Sequence, residues 1–434
     1  MAVLSQPEFR RRRLPNGVLV RVTPMGHARS VAVNVASRVG SGFEALAEQG
    51  ISHFVEHMVF KGTASRPSYA DIATAIEGLG GSINGVTEPE MTLLWAKVAA
   101  PHFRTAVEVL ADMVARPRFD AGEIDKERRV IQDELNLIND APEETVRHSI
   151  RTRLWPRHGL GREIAGHPDN LRAFSEDQLR AHASRMFSGA NLVISVAGQI
   201  EPADADAMLE RAFGGLPAGH PAAWPATPAA IDVERVDVDN REGEQVYFTV
   251  AGRALPREDP DRYALDLACA ILGEGMGSRL FTELRETRGL VYEVFSSLLT
   301  FRDTGALMIE ASAAPDRLTE ALQAVLRELG RLRRHGVSRS ELARAREFVK
   351  GEILLSMEDT HAVAAWFARE ELLESEQLTA DEVVRKLDAV TRADIRRVAA
   401  RVFAPDWAIV AASGPIDTDV PLPFSLDGRA VSAA

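Results

Sequence analysis

His53 and His57 stand four residues apart, with Glu56 directly before the second, and these three are the residues best placed by type and spacing to do chemistry. On a helix, positions i and i+4 lie one turn apart on the same face, so the two imidazoles can each present a nitrogen to one metal ion. Glu56 sits about 100° further round that turn, close enough to touch a water on the ion but aimed away from the ion itself. A metal held in this way activates water, and a neighbouring carboxylate can take its proton.

Such a site needs a third ligand, and the chain offers one downstream. Residues 121–135 read AGEIDKERRVIQDEL, with Ile124, Val130, Ile131 and Leu135 on helical spacing. Glu127 and Glu134 are seven apart and share one face of this predicted helix. Catalytic zinc sites take three protein ligands and keep the fourth position for water, and two His with one Glu is one such set. Spacing alone lets either glutamate complete it. The pentapeptide His53-Phe-Val-Glu-His57 is H-x-x-E-H, the inverse of the H-E-x-x-H pattern of zinc peptidases.

With these residues in view, the chain resembles the pitrilysin–insulysin–mitochondrial processing peptidase family of zinc peptidases. The family pattern is H-x-x-E-H, about seventy residues, a Glu, six residues and a second Glu. Here 69 residues separate His57 from Glu127, and six separate Glu127 from Glu134. The surrounding run from Gly50 to Thr63 is similar as well, as are Asn84-Gly-Val-Thr87 and Glu90. The resemblance implies that His53, His57 and Glu134 bind Zn2+, that Glu56 is the catalytic base and that Glu127 is either an auxiliary metal ligand or a residue behind the ligands. It also implies that the strand carrying Asn84 and Gly85 binds substrate, although the family usually has Asn-Ala at this point. A second segment, SRLFTELRETRGLVYEVFS at 278–296, is similar to the family's C-terminal Arg/Tyr signature. It makes Arg285 and Tyr292 the expected substrate-holding and oxyanion-stabilising pair.

Composition agrees with a soluble globular protein. At 434 residues the chain suits two domains, and its apolar content of 45% and charged content of 26% are ordinary. A formal charge of −12 argues against nucleic acid and anionic membrane as partners. Cys269 is the one cysteine, which excludes an intrachain disulfide and a thiolate metal site. The first residues, MAVLSQPEFRRRRLPNG, hold an arginine cluster without an apolar secretory core, and no apolar run reaches membrane-spanning length. A bacterial cytoplasmic location is the expectation.

An internal repeat supplies the architecture. Ala183, Arg185, Phe187, Gly198 and Ile200 recur as Ala399, Arg401, Phe403, Gly414 and Ile416, all at an offset of 216. A fainter echo sets Glu123 and Glu134 near Glu341 and Glu352. The second copy lacks H-x-x-E-H, so only the first half can hold the metal. The Pro/Gly/Ala-rich run at 214–228 reads as a linker. The expected domains are 1–213 with the metal and 241–434 with the Arg/Tyr pair, joined by 214–240.

Within the first half, periodicity predicts strands at Val18–Val22 and Ala32–Val39, the histidine helix, a helix at Tyr69–Leu79 and a hairpin of Ser82–Thr87 with Met91–Val98. Helices follow at Pro101–Val114 and Glu123–Ile138, and another opens the second half at Arg262–Leu272. The Gly273-x-Gly275-x-Gly277 run is preceded by no strand and is not a nucleotide loop.

The fold class is therefore α+β, with two homologous sheet-plus-helix domains that the resemblance implies close like a clamshell around a chamber. The function expected is a zinc endopeptidase acting on small or unfolded peptides. Two other readings stand beside it: the catalytic subunit of a two-chain processing peptidase, and a non-catalytic partner subunit of the same family. Because one chain carries both signatures, a homodimer is expected before a heterodimer with a related chain.

Overall fold

The computed structural model describes residues 9–228, 233–417, 422–423 and 425–426. Residues 229–232 of the expected linker lie outside the described residues, as do the outermost residues of both expected domains.

The chain forms two compact units. The first comprises Met1–Leu135, Glu163–Pro225 and Leu355–Gln377, and the second Asn136–Arg162, Ala226–Leu354 and Leu378–Ala434. The change-over at Pro225 falls in the Pro/Gly/Ala-rich run. The units are nevertheless not two consecutive stretches, because each takes one segment from the other half of the sequence.

The first unit is built on a six-stranded sheet: β1 (Arg10–Arg13), β2 (Leu19–Pro24), β3 (Ser30–Ser37), β4 (Ser82–Thr87), β5 (Thr92–Ala99) and β6 (Leu192–Gly198), in the order β1-β2-β6-β3-β5-β4. Only β2 and β6 run parallel; the other pairs are antiparallel. β3 and β6 are buried almost throughout, as strands covered on both faces must be. Helix Phe103–Ala115 packs on β3 and β5, and helix Thr360–Leu373 packs on β3 and β6.

That last helix comes from far along the chain, and its residue pattern explains why it docks here. Val363, Ala364, Phe367, Ala368 and Leu372 form an apolar stripe at helical spacing, buried against Met25, Ala32, Ala36, Leu93 and Ala197. Glu371, on the same side, accepts from Arg11 Nε at 2.9 Å and from the buried Arg21 Nη1 at 3.2 Å. The Arg21 guanidinium in turn lies 3.6 Å from the centroid of the Phe367 ring.

The second unit repeats the plan with β7 (Val236–Asn240), β8 (Val246–Ala254), β9 (Val291–Thr300), β10 (Gly305–Ala313) and β11 (Ile409–Gly414), ordered β7-β11-β8-β10-β9. Again only the first pair is parallel. Helix Pro142–Leu154 packs on β8 and β11 through Val146, Ile150 and Leu154. The order β2-β6-β3-β5-β4 thus matches β7-β11-β8-β10-β9 strand for strand. The repeated glycines share a conformation as well, Gly198 at φ +144° and Gly414 at φ +145°. A Cβ at Gly198 would meet the Ser30 carbonyl at 2.3 Å, and one at Gly414 the Gln245 carbonyl at 2.6 Å, so both positions demand glycine. The chain is α+β, with two sheet-plus-helix units of one topology.

Candidate metal centre

The histidine helix, Ile51–Val59, is nearly all buried, which is why its sequence is apolar around the two histidines. Gly50 starts it at φ +95°, and a Cβ there would lie 2.5 Å from Gly166 Cα. Two of the N–H groups at this helix start, which no helix can satisfy internally, are taken by the buried carboxyl group of Glu44. Gly50 N and Ser52 N each donate to it at 2.8 Å. Ser52 Oγ lies 2.9 Å from His182 Nε2, so the helix is pinned from a second side.

Helix Ala121–Asp140 carries both glutamates, and its buried face is Ile124, Glu127, Ile131 and Leu135. Across the two helices, one ligand atom each from His53, His57 and Glu134 can be chosen so that all lie within 4.8 Å of one another, and they are the one such cluster found among the described residues. His53 Nε2 is 3.8 Å and His57 Nε2 3.9 Å from Glu134 Oε2. Ligands about 2.0–2.1 Å from a tetrahedral zinc lie about 3.3 Å apart. The two histidine–Glu134 separations are about 0.5–0.6 Å wider than that, so the donors fit the ion after an inward adjustment of about that size.

The protonation states also suit a metal. Burial, with His57 beside it, pushes the His53 imidazolium down to about 3, so the ring is neutral and its lone pair available at ordinary pH. Burial raises the Glu134 carboxyl, against the pull of His57 and with a further push from Glu163. A divalent cation at this point would favour its ionised form.

Glu127 does not join the cluster but stands behind it. Its Oε2 is 3.0 Å from His57 Nδ1, and its Oε1 is 2.7 Å from Lys61 Nζ. Burial alone would raise this carboxyl, yet hydrogen bonds from His57 and Lys61 hold it below the usual value. An ionised Glu127 accepts a proton-bearing Nδ1 and leaves Nε2 of His57 free to bind a metal.

Glu56 points the other way, toward β4. Its Oε2 accepts from Thr87 Oγ1 at 2.9 Å, and burial raises its pKa despite that bond. Glu56, His57, Phe60, Lys61, Tyr69 and Asn84 help to line a cavity of about 210 Å³ beside the cluster. Among the described residues β4 is the terminal strand of its sheet, and one of its edges has no strand partner there. On it, the Gly85 N–H is taken by the Asn84 side-chain oxygen at 2.8 Å.

Arg285 and Tyr292 lie in the second unit, where they meet each other. The Arg285 guanidinium sits 4.8 Å from the centroid of the Phe281 ring and 5.3 Å from that of Tyr292. Arg285 belongs to a π-helical turn, Phe281–Thr287, a rare form found often at functional sites. Tyr292 is 73% exposed. Two residues that build the centre had no signal in the sequence: Glu44 and His182. Lys61 and Thr87 lie within the family-like runs 50–63 and 84–87, but their spacing signals no role for either.

Known proteins share this arrangement of chain. Residues 18–167 match the family model described as insulinase (peptidase family M16), and residues 173–349 match the one described as peptidase M16 inactive domain. An uncharacterised zinc protease of Bacillus subtilis, YmxG, is 32% identical over 92% of this chain and 96% of its own length. The mitochondrial-processing peptidase subunit beta of Dictyostelium discoideum is 29% identical over 94% of this chain and 89% of its own. Among solved structures, a protease from Helicobacter pylori superposes with a TM-score of 0.88 at 20% identity, over 94% of this chain and all of that one. Whole-length relatives at this level of identity and the two matched models, set beside the clustered histidines and glutamate, make this chain a member of the M16 family of peptidases.

Proposed function

We propose that the protein is a zinc-dependent endopeptidase that cleaves small or unfolded peptides, with His53, His57 and Glu134 as the metal ligands and Glu56 as the general base. The observation that carries this reading is the convergence of the two Nε2 atoms on one Glu134 oxygen, with Glu56 fixed one residue away. The names of the relatives support zinc as the metal. A zinc ion held there would supply Lewis acidity, lowering the pKa of a water to about 7 and polarising a carbonyl.

The chain's own groups do the rest. Glu127 holds the His57 ring in the ligand tautomer. Glu56, buried and raised in pKa, takes a proton from the attacking water and delivers it to the leaving amine. The free edge of β4 suits an extended peptide added as a further strand, which favours unfolded substrates over folded ones. Arg285 and Tyr292 are assigned to holding the substrate and its oxyanion, supported by the sequence signature and by their mutual contact. A homodimer is favoured because one chain carries both signatures. A heterodimer is the second reading, favoured by the likeness to a chain named as a subunit.

Removing zinc with a chelator tests this directly. Hydrolysis of an unstructured peptide should vanish in the stripped protein and return with about one equivalent of zinc. Undiminished hydrolysis in fully stripped protein would overturn the assignment.

A further inference from the structure

The base has two oxygens, and β4 treats them differently. Residues two apart on a strand face the same side, so Gly85 and Thr87 both turn toward the histidine helix, which packs on this strand. Thr87, buried at the end of β4, donates its hydroxyl to Glu56 Oε2 at 2.9 Å. Gly85 stands beside the other oxygen. A Cβ built on it would lie 2.8 Å from Glu56 Oε1 and 3.1 Å from Cγ, so the carboxyl group fills the space of a missing methyl.

We infer that Thr87 is a positioning residue for the base, that Gly85 keeps its second oxygen clear, and that Oε1 is the oxygen that carries the proton. The inference rests on the proposed peptidase reading and adds to it the orientation of the carboxyl group. The terminal torsion of a glutamate is soft and roughly two-fold, so a carboxylate without an anchor presents no fixed lone pair. With Oε2 tied to the Thr87 hydroxyl, the plane is set and Oε1 is presented in one direction. In the first step a water O–H bond breaks as an O–H bond forms on Oε1, while the water oxygen bonds to the carbonyl carbon and the C=O π pair moves to the carbonyl oxygen. In the second, that pair re-forms the C=O bond as the C–N bond breaks, and the Oε1 proton passes to the amine nitrogen, which restores the carboxylate. Thr87 donates to Oε2 throughout, so its bond survives both transfers. Because Gly85 and Thr87 lie on the strand whose free edge is proposed to take the peptide, one strand would align substrate and base together.

Thr87→Val keeps the shape and removes the hydroxyl; Thr87→Ser keeps the hydroxyl and removes the methyl. The inference expects Thr87→Val to lower kcat about tenfold or more while leaving KM within about twofold. Zinc content, and the peptide affinity of the zinc-free protein, should not change. Thr87→Ser should recover kcat to within about threefold of the wild type. In a Glu56→Gln background, Thr87→Val should cost nothing further, because it acts through Glu56. A wild-type kcat in Thr87→Val, an equal loss in Thr87→Ser, or an additive loss in the Glu56→Gln background would each overturn the inference. Failure of the peptidase reading shows separately: the unmodified, zinc-loaded protein would not cleave peptide at all, and the inference would fall with it.

Discussion

In the proposed centre the two histidines differ at the nitrogen turned away from the metal position: Glu127 holds His57 Nδ1 while Lys61 holds Glu127, and His53 Nδ1 has no hydrogen-bond partner among the described residues. Glu127→Gln keeps the shape but weakens both contacts, so zinc affinity should fall roughly 10–100-fold with the fold intact. Competition against a chromophoric chelator measures this, and an unchanged affinity would reduce Glu127 to a salt-bridge residue. At this scale the sequence was partly legible. That His53, His57 and Glu134 come together could be read because helical spacing and a downstream carboxylate are local signals. Lys61, Glu44 and Thr87 could not, because each acts across a tertiary contact that no spacing records.

Among the elements, the histidine helix takes a capping group from outside itself, Glu44. Burial pushes the Glu44 carboxyl up to about 7, from an ordinary 4.5, against the pull of the Ser52 and Gly50 N–H groups. The folded chain therefore keeps a proton that the unfolded chain has already released. Its contribution to stability is complete below pH 4.5 and is lost as pH rises through 7. Glu44→Gln cannot titrate. Denaturant unfolding at about pH 5 and about pH 8 should show the wild type losing more stability than the variant, by up to about 3 kcal/mol. Equal losses in the two proteins would contradict the assignment. The hairpin of β4 and β5 was legible from alternation around Glu88-Pro89, and the carboxylate helix from its periodicity, to within a few residues at the ends. β1 was not, since Arg10–Arg13 has no alternation and forms an edge strand by pairing with β2. The π-helical turn at Arg285 was equally silent.

For the whole molecule, the repeat at an offset of 216 reads correctly as duplication, since β2–β6 of the first sheet have the strand order of the second, β1 being an addition. The same repeat hid the exchange of segments. Helix Thr360–Leu373 packs in the first unit and helix Pro142–Leu154 in the second because each apolar face fits a sheet the sequence cannot identify. Duplication also bounds the chemistry. The second copy keeps a glutamate at 352 but no paired histidines, so the chain should carry one zinc and one base. The zinc content and peptide turnover of the Glu56→Gln variant, measured on the same sample, test that claim most directly. The account predicts one zinc per chain, as in the wild type, with turnover lower by about 10²–10⁴-fold. Full zinc with wild-type turnover would contradict it, and so would loss of the metal, which would make Glu56 a ligand rather than the base.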